Sequence, residues 1–392
     1  RVISNSWDCV RLEPGCELTA KKCRFQSRAH PAICAKDAKA FDIAECDFDI
    51  RPQTLEGKFL PYGLQADNSR GRIRESTFRG GPGAIGVQWQ NTGELVSIEN
   101  CVFQDCERGV VVQNCTNVSI TGNSLASPAT KVIGCAYGIQ LEDSSAELTG
   151  IEIRGAGATN GIQIQNKHDN PDRPLVQISD CKISGYEHSV TTDNALAKLR
   201  AVEIDSSQLG IFIESMSDVT LTDCQLLNSN NKTAGANKNT HSVGLKIGNA
   251  SASLEGCAID WHYVGVEAQG KNELTLTDCQ LHENFIGLNV AAGNIRVKGG
   301  VFDANDFCAI TIAPEATEQQ PRYLPTALTQ FHFERAAFQD SRQCSFKFFL
   351  PCSLQLTDCS FQGALDNAPP TLSKELEMVS DGQITTIERK KP

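Results

Sequence analysis

A six-residue phrase, Leu276-Thr277-Asp278-Cys279-Gln280-Leu281, returns from one end of the chain to the other, with close echoes beginning at Leu221 and Leu356. Aligned on the apolar first position, fourteen copies start at Ala20, Ile43, Ile73, Ile98, Ile120, Leu148, Ile178, Leu199, Leu221, Leu254, Leu276, Val297, Phe333 and Leu356. Five residues on, each copy has a large hydrophobe, among them Phe25, Phe48, Phe78, Phe103, Leu281, Phe302, Phe338 and Phe361. A register that never slips demands a repeat architecture, in which each unit buries its apolar face against the next.

A second phrase, a small residue followed by apolar-x-apolar, alternates with the first. Its clearest members begin at Gly138, Gly161, Gly210, Gly265 and Gly287, with weaker ones at Cys9, Ala32, Ser189, Ala309 and Ser345. Apolar residues at a period of two predict strands with one face buried and one solvated. Where nothing is inserted the full period is about 21 to 25 residues, a solenoid period. A leucine-rich horseshoe would need a Leu consensus with an Asn ladder and a helical segment, and a propeller blade needs about 40 residues. Short β-branched strands broken by Gly, Asn, Asp and Ser leave the parallel β-helix, right-handed by the usual chirality of parallel connections.

From Cys9 to Phe361 the chain resembles the right-handed parallel β-helix of the pectin-lyase-like superfamily, including repeats of the carbohydrate-binding and sugar-hydrolysing type. The resemblance implies an all-β fold, a right-handed parallel β-helix solenoid of about fourteen coils over residues 1–365, with residues 366–392 as a C-terminal cap or tail. Relatives of this fold include lyases, hydrolases, epimerases, tailspikes and non-catalytic interaction domains, so function has to be read from the side chains.

Of seventeen cysteines, eight (Cys23, Cys46, Cys101, Cys181, Cys224, Cys257, Cys279 and Cys359) hold one slot of the first phrase, where other copies place Ser76, Asn123, Ile151, Val202, Gly300 or Ala336. Coils stack at the ~4.8 Å spacing of paired strands, so these thiols are expected to form an inward column packed as small hydrophobes. A disulfide framework and a metal site are the alternatives. An odd total leaves at least one thiol unpaired, and no Cys-x-x-Cys, His-x₃-His or HExxH spacing occurs, so neither a metal nor another cofactor is expected.

The net charge of −11 argues against nucleic acid, an anionic membrane or an unassisted polyuronate as partner. No apolar run is long enough to span a membrane. Abundant free thiols point to a reducing, cytoplasmic setting, with a secreted or cell-surface location as the alternative. Because the first phrase begins almost at Arg1, flanking domains of the same polypeptide are expected. Four arginines, Arg70, Arg72, Arg74 and Arg79, form a local exception that reads as a charged strand surface rather than a phosphate or carboxylate site.

The solvent-facing positions of the second phrase hold Gln65, Gln88, Gln140, Gln163, Thr191, Lys246, Glu267 and Asn289. Two residues further lie Asp67, Gln90, Gln113, Glu142, Gln165, Asp193, Glu214 and Gln269. Amides and carboxylates in register suit sugar hydroxyls. Within this stripe Glu142, Asp193 and Glu214 are the candidate catalytic carboxylates, and Gln140, Gln163 and Gln165 the candidate binding amides. Their expected spacings of ~5 Å and ~10 Å bracket the carboxylate separations of retaining and inverting glycosidases. A second column, Asp260, His282 and Asp303 with Glu283 beside it, sets an imidazole between carboxylates, which suits binding or base chemistry.

Insertions at 49–62, 126–137, 166–175, 227–243 and 314–330 break the period and mark candidate binding loops. The residue patterns of polygalacturonases, pectate lyases and uronan epimerases have no coherent match; Arg51-Pro52 and Arg173-Pro174 are fragments only. Two readings follow. The first is a non-catalytic recognition or scaffolding domain that binds a protein or a glycan along its side. The alternative is a carbohydrate-active hydrolase or lyase working through the acidic stripe.

Overall fold

A computed structural model describes residues 2–4, 8–51, 61–122, 129–167, 172–206, 208–234, 241–312, 329–341, 344–348, 352–362 and 376–378. The chain divides into two compact units, Arg1–Lys198 and Leu199–Pro392. Both are built almost wholly from parallel strands, with one short helix, Ser229–Ala234, among the described residues. Most of the insertion at 314–330 and of the tail at 366–392, like the slot residue Asn123, lies outside the described residues.

Each coil has three strands. In the second unit a complete coil runs through Glu273–Thr277, Gln280–His282 and Ile286–Val290; in the first, a matching one runs through Val96–Glu99, Val102–Gln104 and Arg108–Cys115. Every strand pairs in parallel with its equivalent in the next coil, so Ile73, Ile98, Ile120 and Leu148 align directly, as do Leu221, Leu254, Leu276 and Val297.

The first phrase is not one straight strand. Its third residue adopts a left-handed conformation in thirteen of the fourteen copies, from Lys22 (φ 55°) and Glu45 (φ 53°) through Asp223 (φ 53°) and Asp278 (φ 50°) to Asp358 (φ 52°). Such a residue turns the chain through a corner. The corner inverts the side-chain alternation, so the first, fourth and sixth positions of the phrase can all face inward although they differ in parity. Cys46, Cys101, Cys181, Cys224, Cys257 and Cys279 are accordingly buried in the fourth position, with Cys23 and Cys359 partly so, and none of these eight forms a disulfide. Burial pushes the Cys101 thiol up to about 12 and Cys181 to about 11, and Cys224 and Cys279 are raised by hydrogen bonds to Cys257 and by burial. Cys101, Cys181, Cys224 and Cys279 are packing groups, held as neutral thiols.

Aromatic rings at the sixth position stack coil upon coil: Phe25, Phe48, Phe78 and Phe103 have centroids 4.9, 4.4 and 4.9 Å apart and nearly parallel planes. The small residue that opens the second phrase has an equally direct cause. A Cβ placed on Gly86, Gly109 or Gly138 would stand 2.5, 2.6 and 2.3 Å from the carbonyl oxygen of the equivalent residue in the next coil. The arginine group is neutralised across strands: Arg72 pairs with Glu99, Arg74 with Asp42 at 3.3 Å and Arg79 with Asp47 at 3.5 Å, while Arg70 Nε donates to the Lys39 carbonyl.

At the next corner of the second unit, His262, Asn284 and Asn305 are fully buried. The Asn284 and Asn305 amides donate to the carbonyls of Ile259 and Leu281, and the His262 backbone N–H donates to Asn284 Oδ1 at 3.0 Å. Neither imidazole nitrogen of His262 makes a well-formed hydrogen bond. Burial pushes its pKa down to about 4, against weaker upward pulls from the Leu226 carbonyl and Asp205.

Two outcomes are expected. Replacing Gly109 with Val forces a side chain against the next coil's backbone and should lower stability by about 3 kcal/mol or more, read as a shift in the urea midpoint. The unfolded chain protonates His262 near pH 6.5, before the folded chain does, so the stability present above that pH should be lost as pH falls toward about 4. The loss is about 3 kcal/mol and should be smaller in His262→Asn, as measured by melting at successive pH values.

Candidate acid–base column and amide stripe

The three-residue strands Ala258–Asp260, Gln280–His282 and Val301–Asp303 stack in exact pairing order, with Asp260 opposite His282 and His282 opposite Asp303. Because the middle residue of each strand (Ile259, Leu281 and Phe302) faces the core, the third must face outward. The column foreseen from the sequence therefore exists in space.

His282 Nδ1 lies 3.1 Å from Asp303 Oδ2, and its Nε2 lies 3.8 Å from Glu283 Oε1. A carboxylate on Nδ1 fixes the imidazole's orientation. Asp260 behaves differently. Burial raises its pKa to about 6, opposed by the charges of His282 and Lys232 and by a hydrogen bond from the His282 backbone, and Glu283 adds a smaller upward push. Its Oδ1 and Glu283 Oε2 are both shielded from solvent and have no hydrogen-bond partner. A carboxyl that keeps its proton near pH 6, next to a His–Asp pair, is a potential proton donor beside a potential acceptor.

Sequence reasoning missed the aromatic surroundings. Trp261 occupies the corner after Asp260 with φ 69°, where the equivalent corners carry Glu283 (φ 52°) and Ala304 (φ 50°). Its ring meets His282 edge-on at 6.4 Å, and the Lys232 ammonium, carried by the helix Ser229–Ala234, lies over its face at 5.1 Å. Beyond the corner Tyr263, Phe285 and Phe307 stack at 4.7 and 5.4 Å. These three rings follow the column residues by three or four positions, a spacing visible in the sequence. Among the described residues no group of three His, Cys, Asp or Glu is arranged to hold a metal ion.

The amide stripe is an ordered ladder in the first unit. Gln65 Nε2 donates to Gln88 Oε1 at 3.2 Å, Gln88 to Gln113 at 3.1 Å, Gln113 to Glu142 Oε2 at 2.6 Å, and Gln140 to Gln163 at 2.8 Å. Register sets Glu142 opposite Gln165 and Gln165 opposite Asp193, so Glu142 and Asp193 are two rungs apart, about 10 Å. Asp193 belongs to the first unit and Glu214 to the second. In the second unit the stripe carries a Lys246–Glu267 ion pair at 3.3 Å and a bond from Thr311 Oγ1 to Asn289 Oδ1 at 2.6 Å.

This arrangement, parallel three-strand coils with a small-residue slot and outward polar columns, defines a solenoid of the β-helix class. The chain belongs to the family described as the right handed beta helix region, whose model matches residues 1–148, 62–191 and 137–320. Among solved structures it is similar to the A-module of the Azotobacter vinelandii mannuronan C-5 epimerase AlgE4, at 13% identity and a TM-score of 0.49 over 89% of this chain and 91% of that one. It is also similar to the periplasmic alginate epimerase AlgG, at 10% identity and a TM-score of 0.44 over 86% of this chain and 76% of that one. The catalytic domain of a GH87 α-1,3-glucanase in complex with tetrasaccharides matches at 9% identity and a TM-score of 0.38, covering 96% of this chain and 64% of the glucanase domain. No curated protein sequence matches the chain. No helix among the described residues is long and apolar enough to cross a membrane.

Because Glu142 ends the ladder as an acceptor, Glu142→Gln should keep that bond and change stability by no more than about 0.5 kcal/mol, measured as the difference in urea midpoint from the wild type.

Proposed function

We propose that the chain is a polysaccharide-active β-helix protein whose acid–base centre is the column of Asp260, His282 and Asp303. The observation that carries this reading is the contrast within one column: Asp260 held near pKa 6 by burial, and His282 paired with Asp303 one rung away. Asp260 acts as the general acid that protonates a glycosidic oxygen. His282, oriented by Asp303, acts as the general base toward water or a sugar proton. Separately, within the first unit, the Gln65, Gln88, Gln113 and Gln140, Gln163 ladder offers donors and acceptors suited to sugar hydroxyls, with Gln165 in the same register.

The stripe carboxylates Glu142, Asp193 and Glu214 are given a binding role in this reading. Glu142 is engaged by Gln113 as the end of the amide ladder. A protein that works on an external polysaccharide belongs outside the cytoplasm, the second of the two locations considered from the sequence.

The test is an oligosaccharide panel assayed for binding, new reducing ends and unsaturated products. Turnover is expected, with kcat/KM falling as pH rises through about 6, where Asp260 loses its proton. Asp260→Asn should cut kcat by about 10²–10⁴-fold while leaving the melting curve in place. Turnover that survives this change but is lost in Asp193→Asn with Glu214→Gln would move the centre to the stripe. Binding without turnover would support the recognition domain.

A further inference from the structure

The first rung of the column already carries an ammonium. Lys232 Nζ lies 5.1 Å from the centre of the Trp261 ring, within cation–π range, and its charge is felt at Asp260. The helix that supplies it is pinned from below: Ser229 N–H donates to Asp205 Oδ1 at 2.9 Å, and Asn231, itself buried, donates to Ser242 Oγ at 2.9 Å. Lys232 is on the helix's exposed side. Its long stem can therefore swing off the ring without unfolding the helix.

Charge and hydrogen bonding select among sugars here. Asp260, Glu283 and Asp303 crowd the His282 column, and the chain as a whole is acidic, so a polyuronate meets repulsion. A neutral sugar that displaced Lys232 would forfeit the cation–π contact and the ammonium's charge near Asp260. An amino sugar exchanges one ammonium for another. The field at Asp260 stays as it was, because the incoming ammonium stands over the Trp261 ring where Lys232 stood.

Resting on the reading that this column handles a polysaccharide, we propose that its substrate is an amino-sugar polymer, one primary ammonium taking the place of Lys232 over the face of Trp261. Trp261 then sets specificity. A tryptophan in a left-handed corner is a strained choice where glycine would fit freely, and its ring touches both Lys232 and His282.

The experiment measures binding of a glucosamine hexamer, its N-acetylated counterpart, a neutral glucose hexamer, a galacturonate hexamer and a lysine-rich peptide, under mildly acidic conditions that keep the amines charged. The glucosamine hexamer should bind at least about tenfold more tightly than the other four. Trp261→Gly, which relieves the backbone strain, should remove about tenfold of that affinity with an unchanged melting curve. Lys232→Ala, which removes the resident ammonium, should strengthen glucosamine binding about threefold or more and leave the N-acetylated hexamer no tighter. This second variant decides the matter should Trp261→Gly fail to fold. Equal or tighter binding of a neutral or acidic hexamer overturns the amino-sugar assignment and leaves the polysaccharide reading standing. Preference for the peptide overturns it in favour of a protein partner, and silence toward every oligosaccharide takes both readings down.

Discussion

Backbone hydrogen bonding between successive coils is the interaction on which the other features depend. Ala258 N–H donates to the Cys224 carbonyl at 3.0 Å, Gln280 to Cys257 at 2.8 Å and Val301 to Cys279 at 2.9 Å, each one coil back. This spacing makes residues of the same slot immediate neighbours. Phenylalanines must then stack, thiols must line up, and the residue opening the second phrase must be nearly bare, because the neighbouring carbonyl occupies the space a side chain would need. The identity of a slot is thus decided by what tolerates contact with its own kind.

The same rule operates on the outer face with the opposite result. Inward slots select residues that pack against copies of themselves, whereas outward slots place polar groups ~4.8 Å apart, close enough to bond or to perturb one another. Glutamines answer by donating in one direction along a ladder that ends at a carboxylate. Asp260, His282 and Asp303 answer unequally: one carboxylate pairs with the imidazole, while the other is left partly desolvated with an oxygen that has no partner. Chemical asymmetry in a repetitive scaffold arises from that inequality. It gives the second unit a partly desolvated carboxyl beside an imidazole–carboxylate pair, which the regular pattern alone would not provide.

Much of this was open to inspection in the residue order. Fourteen aligned copies predicted parallel coils, the recurrent cysteine slot predicted an inward column of free thiols, and the spacing of Asp260, His282 and Asp303 predicted their alignment. The corner within the first phrase was less evident. Its trace is the switch of parity between the first and fourth positions, which a straight strand cannot satisfy with both inside. The residues at the corner itself are as varied as Lys22, Asn100, Ala201 and Asp278, so no composition marks it.

Sequence by itself determined the class of fold, the faces of the strands and the residues that share a column, because a fixed period between coils converts spacing along the chain directly into neighbourhood in space. Tertiary structure alone decided which of those neighbours interact and how. The approach of Lys232 to Trp261 crosses from a short helix to the following coil, and the raised pKa of Asp260 comes from burial. Both depend on distances in three dimensions, and on the water those distances exclude, which no repeat period records.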